Sequence, residues 1–240
     1  PFQSQAQERK RSSNSLEKYG VTTLISTNCV LHKCDWNQTD DTLIVATGEN
    51  INAFVINKDG KLIGKYKHPD KCYGCQWKIG DPRLFVTGCY DGKVRIFDSG
   101  ETYNTCLLEL MGHTDRTFNV TFSGLRTNYI ASSSDDFTVR VWSIQRINHS
   151  EAKRGDFTGS CQCVLKGHND KVRALKWCSE LPFILFSGSW DSTIRVWNVD
   201  TDECLNVLKG HQADVYQIIS HPGRPFRFVS CSRDTTLRVW

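Results

Sequence analysis

A chain of 240 residues has room for one large or two small domains, and a hydrophobic fraction of 39% with 11% aromatics supplies a sizeable core. Thirty basic against twenty-six acidic residues leave a formal charge of +4, too little over this length to mark a nucleic-acid footprint. No apolar run reaches the roughly 18 to 20 residues of a membrane helix, so neither a membrane nor a nucleic acid is expected as partner.

Eleven cysteines, an odd number spread along the chain, do not make the compact even framework of a small secreted domain. Reduced thiols and a cytoplasmic location are expected. In chain order, residues 1–15 are polar and read as a flexible tail rather than a signal peptide. Behind it the chain divides into five units, at about 27–56, 68–97, 113–142, 168–197 and 211–240.

Four of the five units share a fixed register. His68, His113, His168 and His211 each stand 29 residues before Phe97, Trp142, Trp197 and Trp240. Asp91, Asp136, Asp191 and Asp234 each follow the His by 23 residues. A hydroxyl lies four residues before each Asp (Thr87, Ser132, Ser187, Ser230) and an arginine four after it (Arg95, Arg140, Arg195, Arg238). The first unit keeps the shape but holds Thr27, Ala46, Asn50 and Ile56 at the four polar or aromatic places. Between blocks the spacing varies, which assigns those stretches to loops.

Within a unit the elements are short strands. KVRALKW, FILFSGS, TIRVWNV and ECLNVLK in the fourth unit are rich in β-branched and aromatic residues, with turn chemistry at SWDS and VDTD. Apolar residues on both faces of RALKW and FILF predict small sheets covered on each side by neighbouring sheets.

GH, then SGSWD, then IRVW at about forty-residue spacing resembles the WD40 repeat family, from Thr27 to Trp240. The resemblance implies an all-β fold, a WD40 β-propeller with five units visible; the family's usual count of seven blades favours two further units outside this sequence over closure of the ring with five. LEKYGVTTLIS, Leu16 to Ser26, stands where a preceding blade's fourth strand belongs. The resemblance also implies a platform for protein assembly.

His168, Ser187 and Asp191 have the composition of a hydrolase triad, but a nucleophilic site is built once, whereas this group recurs. The family implies instead structural tetrads in which Trp donates to the hydroxyl, the hydroxyl meets His and His meets Asp. The complete sets are His113, Ser132, Asp136 and Trp142; His168, Ser187, Asp191 and Trp197; and His211, Ser230, Asp234 and Trp240. Phe97 lacks an indole N–H, so the second unit is expected to be less tightly latched, and units one and two to exchange amide hydrogens first. No catalytic residue is expected.

Cys72 and Cys75 have zinc or redox spacing, yet they fall on core positions of a first strand, and Cys106, Cys161 and Cys204 on last strands. Free Cys packs as a small buried hydrophobe, so neither metal nor cofactor is expected. The repeated arginines, two places before each aromatic, read as stems packed between blades over a ring.

A partner is expected on one rim of the channel. Carrying the family's rim positions over gives Lys71, Tyr73 and Tyr90; Arg116, Phe118 and Asp135; Lys171, Arg173 and Trp190; and Asp214, Tyr216 and Arg233. Aromatic and arginine side chains are the types enriched at interface hot spots, and Trp190 has no structural task legible in the sequence. The link SIQRINHSEAKRGDFTGS after Trp142 reads as a long polar loop on the opposite rim, decoration or a second contact. The reading is a non-catalytic scaffold for a protein or peptide, as part of a larger chain or complex. The alternatives are a trafficking or ciliary subunit, or the substrate receptor of a ubiquitin ligase. The latter expects a basic residue three places after the repeat-ending aromatic, where Gly100, Gln145 and Asp200 stand.

Overall fold

Short β-branched runs separated by Asn, Asp and Gly turns pair with their sequence neighbours, and the result is a series of antiparallel meanders. The computed structural model describes residues 26, 29–100, 105–146 and 157–240, and every regular element among them is a strand. The expectations for residues 1–15, for Leu16 to Ile25 and for Thr27 lie outside the described residues.

The first sheet holds β1 (Leu31–Trp36), β2 (Leu43–Gly48), β3 (Asn52–Asn57) and β4 (Leu62–Lys67); the second holds β5 (Cys72–Trp77), β6 (Leu84–Cys89), β7 (Val94–Asp98) and β8 (Cys106–Leu110). One pairing, Gly48 with Cys72, joins these two into a continuous sheet. The third is β9 (Thr117–Phe122), β10 (Tyr129–Ser134), β11 (Val139–Arg146) and β12 (Phe157–Leu165), and the fourth is β13 (Val172–Trp177), β14 (Ile184–Ser189), β15 (Thr193–Asn198) and β16 (Glu203–Lys209). The fifth has three strands, β17 (Val215–Ser220), β18 (Phe228–Ser232) and β19 (Leu237–Val239).

First strands are neighbours: β1 packs on β5, β5 on β9, β9 on β13 and β13 on β17. The core accordingly divides into four clusters, one in each gap between successive sheets. Val45, Val55 and Tyr66 meet Trp77, Phe85 and Phe97 in the first gap, and Leu84, Val86 and Ile96 meet Phe122, Ile130 and Ile144 in the second. Ala131, Val141 and Leu165 meet Leu175, Trp177 and Leu185 in the third; Ile184, Phe186 and Val196 meet Val215, Ile218 and Phe228 in the fourth. Strands with two apolar faces are those with a sheet on each side, and β6 and β14 are buried at every residue. The curled antiparallel sheets are those of a WD40 β-propeller.

The link after Trp142 corrects the sequence reading. Its two ends are not loop: β11 and β12 stay paired from Ser143 with Ser160 to Arg146 with Phe157, because Ile144 is buried and Arg146 stacks over the Phe157 ring at 5.4 Å. Residues 147–156 lie outside the described residues.

Candidate functional site

Three sheets each carry one hydrogen-bonded chain. In the fourth, Trp197 Nε1 donates to Ser187 Oγ at 2.7 Å, His168 Nε2 lies 2.8 Å from the same oxygen, and His168 Nδ1 lies 2.8 Å from Asp191 Oδ2. The third sheet repeats this with Trp142, Ser132, His113 and Asp136 at 2.8 Å throughout. In the fifth, Trp240, Ser230, His211 and Asp234 make the same chain at 2.7 to 2.8 Å. The hydroxyl oxygen accepts from the indole and meets the imidazole, and Ser132 and Ser187 are fully buried.

Each Asp does more than hold its His. Asp191 Oδ2 also accepts the Asn169 backbone N–H at 2.9 Å, while Oδ1 accepts the Thr193 N–H and hydroxyl at 2.9 and 2.7 Å. Burial opposes ionisation of Asp191, and the His168 ring with these donors outweighs it, holding the carboxyl well below the usual range. The residue after each Asp takes a left-handed conformation, φ 68° at Phe137, 67° at Ser192 and 67° at Thr235, with Gly92 at 82° in the second sheet.

Sequence reasoning missed two further rows of this latch. Two residues before each Asp, Ser134, Ser189 and Ser232 donate to the carbonyls of Asp115, Asp170 and Ala213 and accept the N–H of the Asp. Two residues after it stand Thr138, Thr193 and Thr236. The signal was present as SxSxDxT at constant register. The glycine before each His is explained too: a Cβ on Gly112 or Gly167 would stand 2.6 Å from the guanidinium of Arg140 or Arg195, which lies over Trp142 or Trp197.

The second sheet departs further than its Phe97 announced. His68 Nε2 meets Thr87 Oγ1 at 2.8 Å, but Nδ1 is buried and meets no carboxylate among the described residues, and Asp91 turns to Arg95 at 2.5 Å. Lys93 stands where the other units have Thr, and Pro69 where they offer a backbone N–H to the carboxylate, so two donors that hold it toward His are missing, while the Lys93 N–H still reaches Asp91 Oδ1 at 3.1 Å. Arg95 lies between Asp91 and Glu109 (2.7 Å) instead of over a Trp ring. Burial first, then the Arg95 charge, pushes the His68 ring down to about 4.

The ten cysteines from Cys34 to Cys231 are free thiols. Cys72 and Cys75 are buried, and burial raises both thiols, Cys75 to about 12. Cys106, Cys161 and Cys204 sit across from Phe97, Trp142 and Trp197, and here the expectation of burial needs correction: Cys161 is exposed and the other two partly so.

The rim residues are brought together by a feature invisible in the sequence. In all five sheets the first two strands slip register by one residue, skipping His32, Tyr73, Phe118, Arg173 and Tyr216 in turn. A β-bulge re-aims the extra residue, and these five line the mouth of one cavity. Tyr73 stacks on His32 and on Tyr90 at 4.6 Å each and meets Phe118 at 5.0 Å. Arg116 lies over Tyr90 at 4.7 Å, and Arg173 lies between Phe118 and Trp190 at 3.9 and 4.9 Å.

Three rim assignments change as a result. Tyr73, Asp135 and Arg173 are buried rather than presented, with Arg173 and Asp135 paired at 2.9 Å. Trp190 has a structural task after all, since Arg173 and Lys171 (4.8 Å) pack on its ring. Arg116, Tyr216 and Arg233 are exposed, Lys71 and Asp214 partly so, and Arg233 lies 3.6 Å from Asp214.

The repeated latch on curled four-stranded sheets defines a class. Models of the WD domain, G-beta repeat, match residues 21–98, 104–143, 159–198 and 202–240, and the chain belongs to this WD40 family. Among curated relatives, it is 22% identical to histone acetyltransferase type B subunit 2 of Debaryomyces hansenii over 71% of this chain and 44% of that protein. It is 28% identical to nuclear distribution protein PAC1 of Candida tropicalis over 65% of this chain and 31% of that one. Against the ribosome biogenesis protein WDR12 homolog of Trichoplax adhaerens the identity is 27%, over 72% and 44%. The chain spans less than half the length of each.

Proposed function

We propose that this chain is a non-catalytic scaffold that holds a protein or peptide partner on the bulge-lined rim, within a larger chain or complex. The observation that carries the reading is the continuous collar of stacked aromatic rings and guanidinium groups from His32 to Trp190, with Arg116, Tyr216 and Arg233 left exposed beside it. Rigid aromatic and arginine side chains desolvate at low entropic cost, which suits a hot spot. The relatives' names point to different assemblies, which supports a shared platform and no shared partner. Ten free thiols, Cys34 to Cys231, fit a reducing, cytoplasmic compartment.

The buried residues are the wrong ones to test, because Arg173→Ala would strand the Asp135 carboxylate. Affinity capture with wild type and with Arg116→Ala, Tyr216→Ala, followed by mass spectrometry, is the appropriate experiment. The variant melts like wild type and loses specific partners; identical partner lists from the two proteins would count against this rim.

A further inference from the structure

Below the collar, the first strands surround a channel of about 490 Å³ whose charges do not balance. Lys33, Arg173 and Lys176 line it with a single carboxylate, Asp35. Arg173 is answered by Asp135 at 2.9 Å. Asp35 is engaged as well, since Oδ2 accepts the Trp77 backbone N–H at 2.8 Å.

The two lysines are left. Lys33 is partly buried and reaches from the first sheet to the third, where Nζ donates to Asn119 Oδ1 at 2.5 Å, a neutral acceptor. Lys176 makes no hydrogen bond or ion pair with any described residue, yet lies close enough to act on Lys33. Burial chiefly, and Lys176 in addition, push the Lys33 ammonium below the ordinary lysine range despite Asp35. Lys33 is desolvated, Lys176 is half-buried beside it, and Asp35 alone acts on both, so the pair carries one positive charge more than the nearby carboxylate answers.

Neighbouring amides complete the arrangement. Gln76 Oε1 accepts the Phe122 N–H at 2.6 Å, which leaves its NH₂ group for another acceptor. We propose that the channel is a binding site for one compact oxyanion, a phosphate or carboxylate group, seated between Lys33 and Lys176 with the Gln76 amide as a further donor. Asp35 limits the charge the site accepts, so a single oxyanion group fits and an extended polyanion does not. The proposal does not rest on the rim as partner surface.

The probes are inorganic phosphate and a short peptide ending in glutamate, each titrated into the full chain by calorimetry and thermal denaturation against sodium chloride of equal ionic strength. Saturable binding with a rise in Tm is expected for at least one of them, and the one that binds identifies whether the group arrives as a free anion or on a peptide. Lys33→Met and Lys176→Met each weaken it by roughly tenfold or more, while exposed Lys209→Met leaves it unchanged. Without ligand, Lys33→Met melts at or above wild type, because a desolvated ammonium in excess of the nearby carboxylate has been removed. No saturable binding of either probe, or wild-type affinity in both channel variants, overturns the proposal.

Discussion

Asp191 shows how one carboxylate can matter more than its neighbours in sequence suggest. It closes the His168 contact, caps the N–H of Asn169 and sets the turn at Thr193. Replacing it with Ala strands buried donors, at a cost on the order of 1 to 3 kcal/mol. Chemical denaturation of Asp191→Ala is expected to show that loss; a hydrolase activity that vanishes in the still folded variant would contradict the structural role. Phe97 is the converse case. Installing the missing indole with Phe97→Trp does not restore a latch, because Asp91 is held by Arg95, and Tyr66, Phe85 and His68 already pack around the ring. Overpacking costs about 1 to 3 kcal/mol, so this variant is expected to melt below wild type. The positions of these latch residues were legible in the sequence, since register alone aligned His, hydroxyl, Asp and Trp. The capture of Asp91 by Arg95 was not, because it depends on the missing Thr hydroxyl, on Pro69 after His68 and on Arg95 finding Glu109 across the strand.

Strands differ in protection for reasons that a latch count misses. The sequence placed the first two units together as the ones to open first. Burial separates them: β5, β6 and β7 are enclosed between neighbouring sheets almost throughout, whereas β1 is largely exposed, with Trp36 at 51%. Amide hydrogen exchange followed by mass spectrometry is expected to show β1 exchanging before β5 to β7, which belong to the slow set despite the incomplete latch. Equal rates in β1 and β6 would show that the hydrogen-bond chain, not enclosure, sets local stability. The long link teaches the same point: its polar middle hid the fact that Ile144 and Phe157 continue the hairpin.

The whole fold carries two acid-sensitive layers. The His68 ring is held at about 4 against an ordinary 6.5, so the unfolded chain binds the extra proton between those values. That contribution is full above about pH 6.5 and is lost as pH falls through 4. The carboxyls of Asp136, Asp191 and Asp234 are depressed, so their contribution is full above the ordinary 3.8 and is lost only as pH falls further. Melting temperature against pH is expected to fall in two stages, and His68→Gln is expected to remove the first while leaving the second. A single transition below pH 4 in wild type would mean that His68 is not desolvated as the structure has it.

The amino-acid order alone carries the repeat: its register, the short strands, the all-β class and the latch chemistry, because each is a local pattern of residue types at fixed spacing. Which side chains on the rim are presented and which are buried, and that two channel lysines share one carboxylate, follows only from how the sheets pack. Bulges, pairings between sheets and desolvation join residues such as Lys33 and Asn119, 86 positions apart, whose proximity no local pattern encodes.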